Sequence, residues 1–334
     1  MQPIRIISTQ DSSTLHVRFN PTDICNFSCS YCFPGSGNVN KYRYPKNIDT
    51  VVKNFRLMFD NYEKKLKKTR FHLIIAGGGE PTMWPYLEQF CKEIKEQHNV
   101  FLTLITNGSR TVRWWKDNLA YFDDVVLSTH QEFVDIEHHC EVGDLLYEAD
   151  VSVTALMLMD ARHWDKCVAM VERMKKSNRP WSIEAKAVVE APGMGMDVYT
   201  PKQLEYLAIG LKRLPDSDWI LKRISTIRIH ESIALFEDDS TKVNLPPDVI
   251  VNKWNYFKGW KCNVALETLL VRSDGAVTGS CLEPIFEGNM FNMFAEDFSE
   301  KFNLNVDFKP IICSRDCCSC QPETHVSKIN LNAK

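Results

Sequence analysis

No stretch of this chain is long and apolar enough to cross a bilayer; its strongest apolar run, 151–159, has the length of a strand. The opening residues, Met1-Gln2-Pro3-Ile4-Arg5-Ile6-Ile7-Ser8, lack the apolar stretch of a secretion signal. Charge of one sign is also missing. The net charge is −3 over 334 residues, so nothing draws the chain in bulk towards nucleic acid or an anionic membrane. Internal repeats and low-complexity tracts are absent too. What remains is an ordinary globular composition, 44% hydrophobic and 25% charged, expected to form one or two domains in the cytoplasm.

Cysteine, by contrast, is plentiful. Twelve is a high count for a reducing compartment, where thiols stay free and ligation of a metal or cluster explains them better than disulfides. Cys25, Cys29 and Cys32 are spaced C-x3-C-x2-C. Three close thiolates suit one iron–sulfur cubane and leave one iron without a protein ligand. Such an iron is a place where a small molecule can bind and receive an electron. A structural zinc site takes four ligands, usually in two pairs, and this run has neither the count nor the pairing.

Strand-like segments at 15–20, 71–76, 100–105, 124–127, 151–158 and 182–189 alternate with helical ones, among them 49–68, 84–97, 111–120 and 161–176. This pattern predicts βαβ units and a parallel sheet, an α/β fold of the partial (β/α)6 barrel type, over residues 1–195. Ligands bind at the carboxyl ends of such strands. The cysteine loop falls at that end, and so do the turn Gly77-Gly78-Gly79-Glu80-Pro81, Asn107 and Ser128. Residues 196–254 read as a bridging segment, with a helix at 201–214, a strand at 226–230 and a loop at 236–247 as a boundary. Residues 255–334 read as a small second domain built on a β-hairpin.

Period-two alternation puts Ser182, Glu184 and Lys186 on one side of the sixth strand, facing either the barrel interior or water. Arg228 and His230 carry the same ambiguity. Cys91 and Cys167 lie on apolar helical stripes and read as core, whereas Cys140 is undecided. His130, His138 and His139 read first as surface or hydrogen-bonded groups. The hairpin around Asp274-Gly275 brings Cys262 towards Cys281. Downstream lies the dense run Cys313, Cys317, Cys318, Cys320. Together these make a four-thiolate site, suited to an iron–sulfur cluster or to zinc.

The run Cys25-Asn26-Phe27-Ser28-Cys29-Ser30-Tyr31-Cys32, with an aromatic residue before its last cysteine, resembles the signature of the radical S-adenosylmethionine (SAM) superfamily. Gly78-Gly79-Glu80 resembles that family's motif for the amino group of methionine. The resemblance implies a 4Fe–4S cluster on Cys25, Cys29 and Cys32, with SAM chelated to the open iron and cleaved to a 5′-deoxyadenosyl radical that abstracts hydrogen from a substrate. It implies Tyr31 near the adenine, Asn107 and Ser128 against the ribose or methionine, and Lys186 against SAM or substrate. The layout Cys262…Gly275…Cys281 with Gly288-Asn289 resembles a shortened SPASM/twitch extension. That likeness implies one auxiliary 4Fe–4S cluster on Cys262, Cys281, Cys317 and Cys320, with Cys313 and Cys318 as alternates. The implied partners are an electron donor such as flavodoxin or ferredoxin and a substrate. A small molecule (an amino sugar, nucleoside or amino acid) is expected ahead of a ribosomally made peptide. An iron–sulfur sensor or structural protein is the non-enzyme alternative.

Overall fold

A computed structural model of the chain describes residues 2–32, 44–96, 98–188, 198–210, 231–244, 249, 252–279, 291–318 and 326–332. A short strand, β1 (Arg5–Ser8), precedes six parallel strands that lie side by side in chain order. These are β2 (Thr14–Phe19), β3 (Arg70–Ile75), β4 (Val100–Thr106), β5 (Asp124–Thr129), β6 (Ser152–Met159) and β7 (Ser182–Ala187). Helices α1 (Ile48–Leu66), α2 (Leu87–Lys95), α3 (Val112–Asn118), α4 (Ile136–Glu148) and α5 (Trp164–Lys175) connect β2 through β7.

Capping follows local chemistry. Asn47 accepts from Thr50 N to start α1, and Asp135 accepts from Glu137 N and His138 N to start α4. Alternation divides each strand between two faces. Val17 and Phe19 of β2, Leu73 and Ile75 of β3, and Leu102 and Leu104 of β4 enter one core with Phe55, Phe59 and Phe90 of the helices. Cys91, Cys140 and Cys167 are buried in that same core. The other face carries polar residues, His16, His72, Thr103 and Asp124 among them, and these are buried as well.

After α6 (Pro201–Gly210) come β8 (Ser232–Leu235) and β9 (Thr241–Asn244). Of segment 236–247, read from sequence as a loop and boundary, 236–240 is the tight turn joining these antiparallel strands, with Phe236 N donating to Ser240 O at 3.0 Å, whereas 241–244 is the strand β9 and not loop, because it pairs with β8. The chain continues through β10 (Lys261–Cys262), α7 (Val264–Glu267), β11 (Thr268–Val271), β12 (Ala276–Thr278), β13 (Phe291–Asn292), α8 (Phe298–Asn305), β14 (Ile311–Ile312) and β15 (Lys328–Ile329). The expected hairpin is β11–β12, and its turn holds Gly275 at φ 86°, where a Cβ would meet Asn292 Oδ1 at 2.2 Å. β11 also pairs in parallel with β2, so the hairpin and β13 extend the main sheet to nine strands.

A second sheet has the order β14-β10-β15-β1-β8-β9. It draws β1 from near the start of the chain into the company of strands beyond residue 231, around a small core of Ile6, Phe236, Trp254, Phe257, Trp260 and Cys318. β1 escaped the sequence reading because four residues carry too little alternation to register. The expected strand at 226–230, with Arg228 and His230, lies outside the described residues, as do Cys281, Gly288, Asn289 and Cys320. Among the described residues, no helix is long and apolar enough to cross a membrane.

Candidate functional site

The loop after β2 carries Cys25, Cys29 and Cys32, and its backbone is seated on the glycine-rich turn after β3. Glu80 N donates to Ile24 O at 2.7 Å. A Cβ on Gly79 would lie 2.3 Å from Ile24 O and 2.6 Å from Asp23 C, so only glycine permits this approach. Gly78 directly precedes these contacts in the turn.

Glu80 is buried, and chain donors engage both of its oxygens. Oε1 accepts from Thr106 Oγ1 at 2.6 Å and Thr82 N at 3.0 Å, while Oε2 accepts from Asn107 N at 2.7 Å. Burial pushes its pKa up, and these hydrogen bonds hold it back down. The carboxylate therefore ties the turn to the end of β4, and one lone pair of Oε2 is left over.

Asn107 reaches the cysteine loop itself. Its Nδ2 donates to Asn26 Oδ1 at 2.8 Å, and Asn26 Nδ2 donates to Ser109 Oγ at 2.8 Å. Gly108 completes this turn at φ 72°. Turn chemistry and contact with the loop are thus both present at 106–108.

The far side of the loop rests on residues after β5 and β6. Tyr31 donates to Gln131 Oε1 at 2.9 Å, and its ring lies flat on His130 with centroids 6.0 Å apart. His130 Nδ1 stands 3.1 Å from the Tyr31 hydroxyl and 3.4 Å from Cys29 Sγ. Burial depresses the His130 pKa to about 4, which keeps the ring neutral. Ser30 is held by Glu132, through its backbone N at 2.7 Å and through its hydroxyl, and by Arg162 Nη2 at 3.0 Å. Arg162 in turn grips Asp160, which also accepts from Gln131 Nε2 at 3.1 Å.

Sequence reasoning passed over Asn26, Gln131, Glu132, Asp160 and Arg162. The signal for the last pair is the position of Asp160 directly after β6, where it caps the following turn. Ser128 stands half-buried on β5, on the face away from the helices.

Cys25 and Cys29 are half-buried, Cys32 is exposed, and none is in a disulfide. Burial is the main reason the Cys29 thiol is pushed up to about 12, and the charges of Cys32, Glu132 and Cys25 add to it. Cys25 is raised chiefly by burial as well, against a hydrogen bond from Phe27 N at 3.4 Å. The charge of Cys32 thus bears on both Cys25 and Cys29. A thiolate set of this kind is stabilised by a cationic centre and costly without one. Its donor chemistry fits an iron–sulfur cluster.

The second thiolate set is only partly described. Cys262 packs in the main core, whereas Cys318 and Cys313 pack in the small one. Segment 313–318 is pinned beside 255–260: Cys313 N donates to Trp260 O at 2.9 Å, and Cys318 N to Asn255 O at 2.7 Å. Cys317 is exposed. Among the described residues, the group whose ligand atoms all lie within 4.8 Å of one another is Glu132, Asp160 and His163, with no cysteine in it.

On β7, Ala185 is buried in the core while Glu184 and Lys186 are half-buried on the other face. Burial lowers the Lys186 pKa, the charge of Arg18 on β2 lowers it further, and Glu184 raises it.

Comparison with known proteins agrees with this geometry. Residues 19–180 match the model of the Radical SAM superfamily. An S-adenosylmethionine-dependent nucleotide dehydratase of Thermoplasmatales archaeon (strain ISO4-H5) is 32% identical over 156 residues, 42% of this chain and 51% of that protein. A Methanocaldococcus jannaschii protein named for glycyl-radical enzyme activation is 34% identical over 84 residues, 25% of this chain and 28% of that one. The chain thus spans about half, or less, of these curated relatives. In fold it is similar to the solved structure of tagged anSMEcpe with bound AdoMet, at a TM-score of 0.50 and 16% identity over 88% of this chain and 82% of the other. Residues 19–180, just under half of the chain, are therefore similar to the radical SAM superfamily of enzymes.

Proposed function

We propose that the protein binds a 4Fe–4S cluster through Cys25, Cys29 and Cys32 and cleaves SAM on it. A cluster held by these three cysteines would supply the electron for reductive cleavage of SAM, the chemistry that yields a hydrogen-abstracting 5′-deoxyadenosyl radical. The residues around it bind and orient. Backbone groups of Gly78 and Gly79, with the remaining lone pair of Glu80 Oε2, hold the methionine amine. Tyr31 and His130 wall the cluster on one side, and Asn107 fixes the loop on the other. Ser128 and Lys186 face the volume that SAM and substrate share, inside a sheet curled as a partial barrel.

The observation that carries this reading is the seating of the cysteine loop on the glycine turn, the Glu80 N–Ile24 O bond with no room for a Cβ at residue 79. Two motifs 46 residues or more apart in sequence are held as one unit at the carboxyl ends of β2 and β3.

A small-molecule substrate is favoured by the similarity to a nucleotide dehydratase, a nucleoside derivative being among the classes expected from sequence. A peptide substrate is the alternative, in line with the relative named for enzyme activation. An auxiliary cluster on Cys262, Cys281, Cys317 and Cys320, with Cys313 and Cys318 as alternates, would anchor substrate or accept an electron. A flavodoxin or ferredoxin is the natural donor.

The test is anaerobic reconstitution, reduction and incubation with SAM. Formation of 5′-deoxyadenosine is expected; a fully iron-loaded protein that forms none refutes the activity. A variant carrying Cys25→Ala, Cys29→Ala and Cys32→Ala should keep about four irons per chain if an auxiliary cubane exists. Iron near zero would reject that cluster.

A further inference from the structure

Between the ends of β5 and β6 and the cysteine loop runs a line of side chains whose hydrogen atoms can be counted. Asp160 is buried and paired with Arg162 at 2.8 Å, so it is an anion and only accepts. That orients the buried amide of Gln131: Nε2 donates to Asp160 Oδ2 at 3.1 Å, and Oε1 is left to accept. Tyr31 places its one hydroxyl hydrogen on that Oε1, at 2.9 Å. His130 Nδ1 therefore meets, at 3.1 Å, an oxygen whose hydrogen is already engaged, so the hydrogen of this contact belongs to the imidazole. A neutral ring with this tautomer carries it on Nδ1, and a charged ring carries it there too, so the assignment holds in either protonation state. The same Nδ1 stands 3.4 Å from Cys29 Sγ, in reach of an N–H···S bond.

The ring is held in that pose. Its backbone oxygen accepts from Phe133 N at 3.1 Å and Val134 N at 2.9 Å. Tyr31 lies flat on the imidazole, and Phe27 meets it edge-on with centroids 6.1 Å apart and stacks in turn on Phe133. Turning the ring over would set a carbon where Nδ1 now faces both the hydroxyl and the sulfur. Aromatic neighbours also lower the local dielectric, in which a hydrogen bond is electrostatically stronger than in water. Cys25 has a donor in the loop's own backbone, Phe27 N at 3.4 Å. The donor facing Cys29 comes instead from a side chain beyond another strand.

We infer that His130 Nδ1–H donates a hydrogen bond to the Cys29 thiolate as that thiolate ligates the cluster, and that this bond, its direction set by Tyr31, Gln131 and Asp160, raises the cluster's reduction potential. Hydrogen bonds to ligand sulfurs are among the determinants of such potentials, because they stabilise the added negative charge of the reduced state. His130 is thus a positioning residue that acts through Cys29. The inference rests on reading Cys29 as a cluster ligand, and it adds the group that sets how readily the cluster takes its electron.

The potential is the test, a readout that packing alone would leave in place. The chain is reconstituted anaerobically and titrated potentiometrically, following by EPR the reduced signal that changes when SAM is added. His130→Phe keeps a ring against Tyr31 and removes the donor. It should lower the potential by about 59 mV or more, a tenfold shift in the one-electron equilibrium, with iron content unchanged. His130→Asn returns an amide N–H near the place of Nδ1 and should stay within roughly threefold of the wild-type equilibrium. The competing donor is the Tyr31 hydroxyl, which also bears on Cys29. Tyr31→Phe should therefore shift the potential less than His130→Phe. In wild type carrying ¹⁵N in its histidine rings, pulsed EPR of the reduced cluster should show a nitrogen coupling, a measurement that needs no variant to fold. A wild-type potential in iron-loaded His130→Phe overturns the inference. So does a His130→Asn potential as low as that of His130→Phe, a Tyr31→Phe shift as large as that of His130→Phe, or a missing coupling. Each of these leaves the proposed activity standing, whereas a wild type that takes up no iron sinks that activity and the inference with it.

Discussion

At the scale of single residues, Gly79 matters more than its size suggests. Its hydrogen is what lets the turn touch the backbone of Asp23 and Ile24. In Gly79→Ala the methyl must displace main chain, a change that typically costs about 1–3 kcal/mol. The expected outcome is a lower melting temperature and reconstituted iron well below wild type, measured on the same preparation. Wild-type iron in that variant would show that the cysteine loop does not need the turn. Residue-level reading of the sequence reached far here. Cysteine spacing and the Gly-Gly-Glu turn were both legible because each is a rule about adjacent positions. The partners Asn26, Gln131, Glu132 and Arg162 were not, because their roles depend on which loops meet at one end of the sheet, which only the folded strand order supplies.

At the scale of elements, α4 illustrates how a helix is fixed on this sheet. His139 Nε2 stands 2.9 Å from Thr129 Oγ1 of β5, and Gly143 accommodates the ring of Trp181. A Cβ on Gly143 would lie 2.7 Å from Trp181 Cε2, so Gly143→Ala should destabilise by about 1–3 kcal/mol, read from denaturant unfolding. His139 makes the same docking sensitive to acid. Burial holds its pKa near 4 in the fold, against about 6.5 in an unfolded chain. Between those values the unfolded chain binds a proton that the folded one refuses, so stability falls as pH drops from about 6.5 towards about 4 and is unaffected by this group above that window. A His139→Gln variant should show a shallower decline of melting temperature than wild type across that window; parallel curves would assign the acid sensitivity to other groups. The six parallel strands and their helices were readable from periodicity. β8 and β9 were not, because the turn between them, Phe236-Glu237-Asp238-Asp239-Ser240, has the polar make-up of any loop. The polar face of the main sheet was glimpsed on β7, in Ser182, Glu184 and Lys186; His16, His72 and Asp124 alternate on strands whose other side is so apolar that they read as ordinary core.

At the scale of the whole molecule, the second sheet is stitched from segments near the two ends of the chain. Ser8 N donates to Ser327 Oγ at 3.1 Å, across 319 residues of sequence. Ile6, fully buried on β1, shares the small core with Trp254, Trp260 and Cys318. Ile6→Ala should therefore cost about 2–5 kcal/mol. Its effect should fall on residues beyond 231, measured as faster amide exchange in β8 and β15 than in β3 or β4. Uniform loosening of both sheets would mean that they unfold as one body.

The place of β1 has a consequence for synthesis. At about 5–20 residues per second, a ribosome needs on the order of 16–64 s to travel the 319 residues between the two ends of that stitch. β2 through β7 emerge well before it closes. The cell can therefore meet a half-born polypeptide with its sulfur-bearing loop already framed and its leading edge still unmated, and any iron delivered during translation arrives before the last seam is drawn.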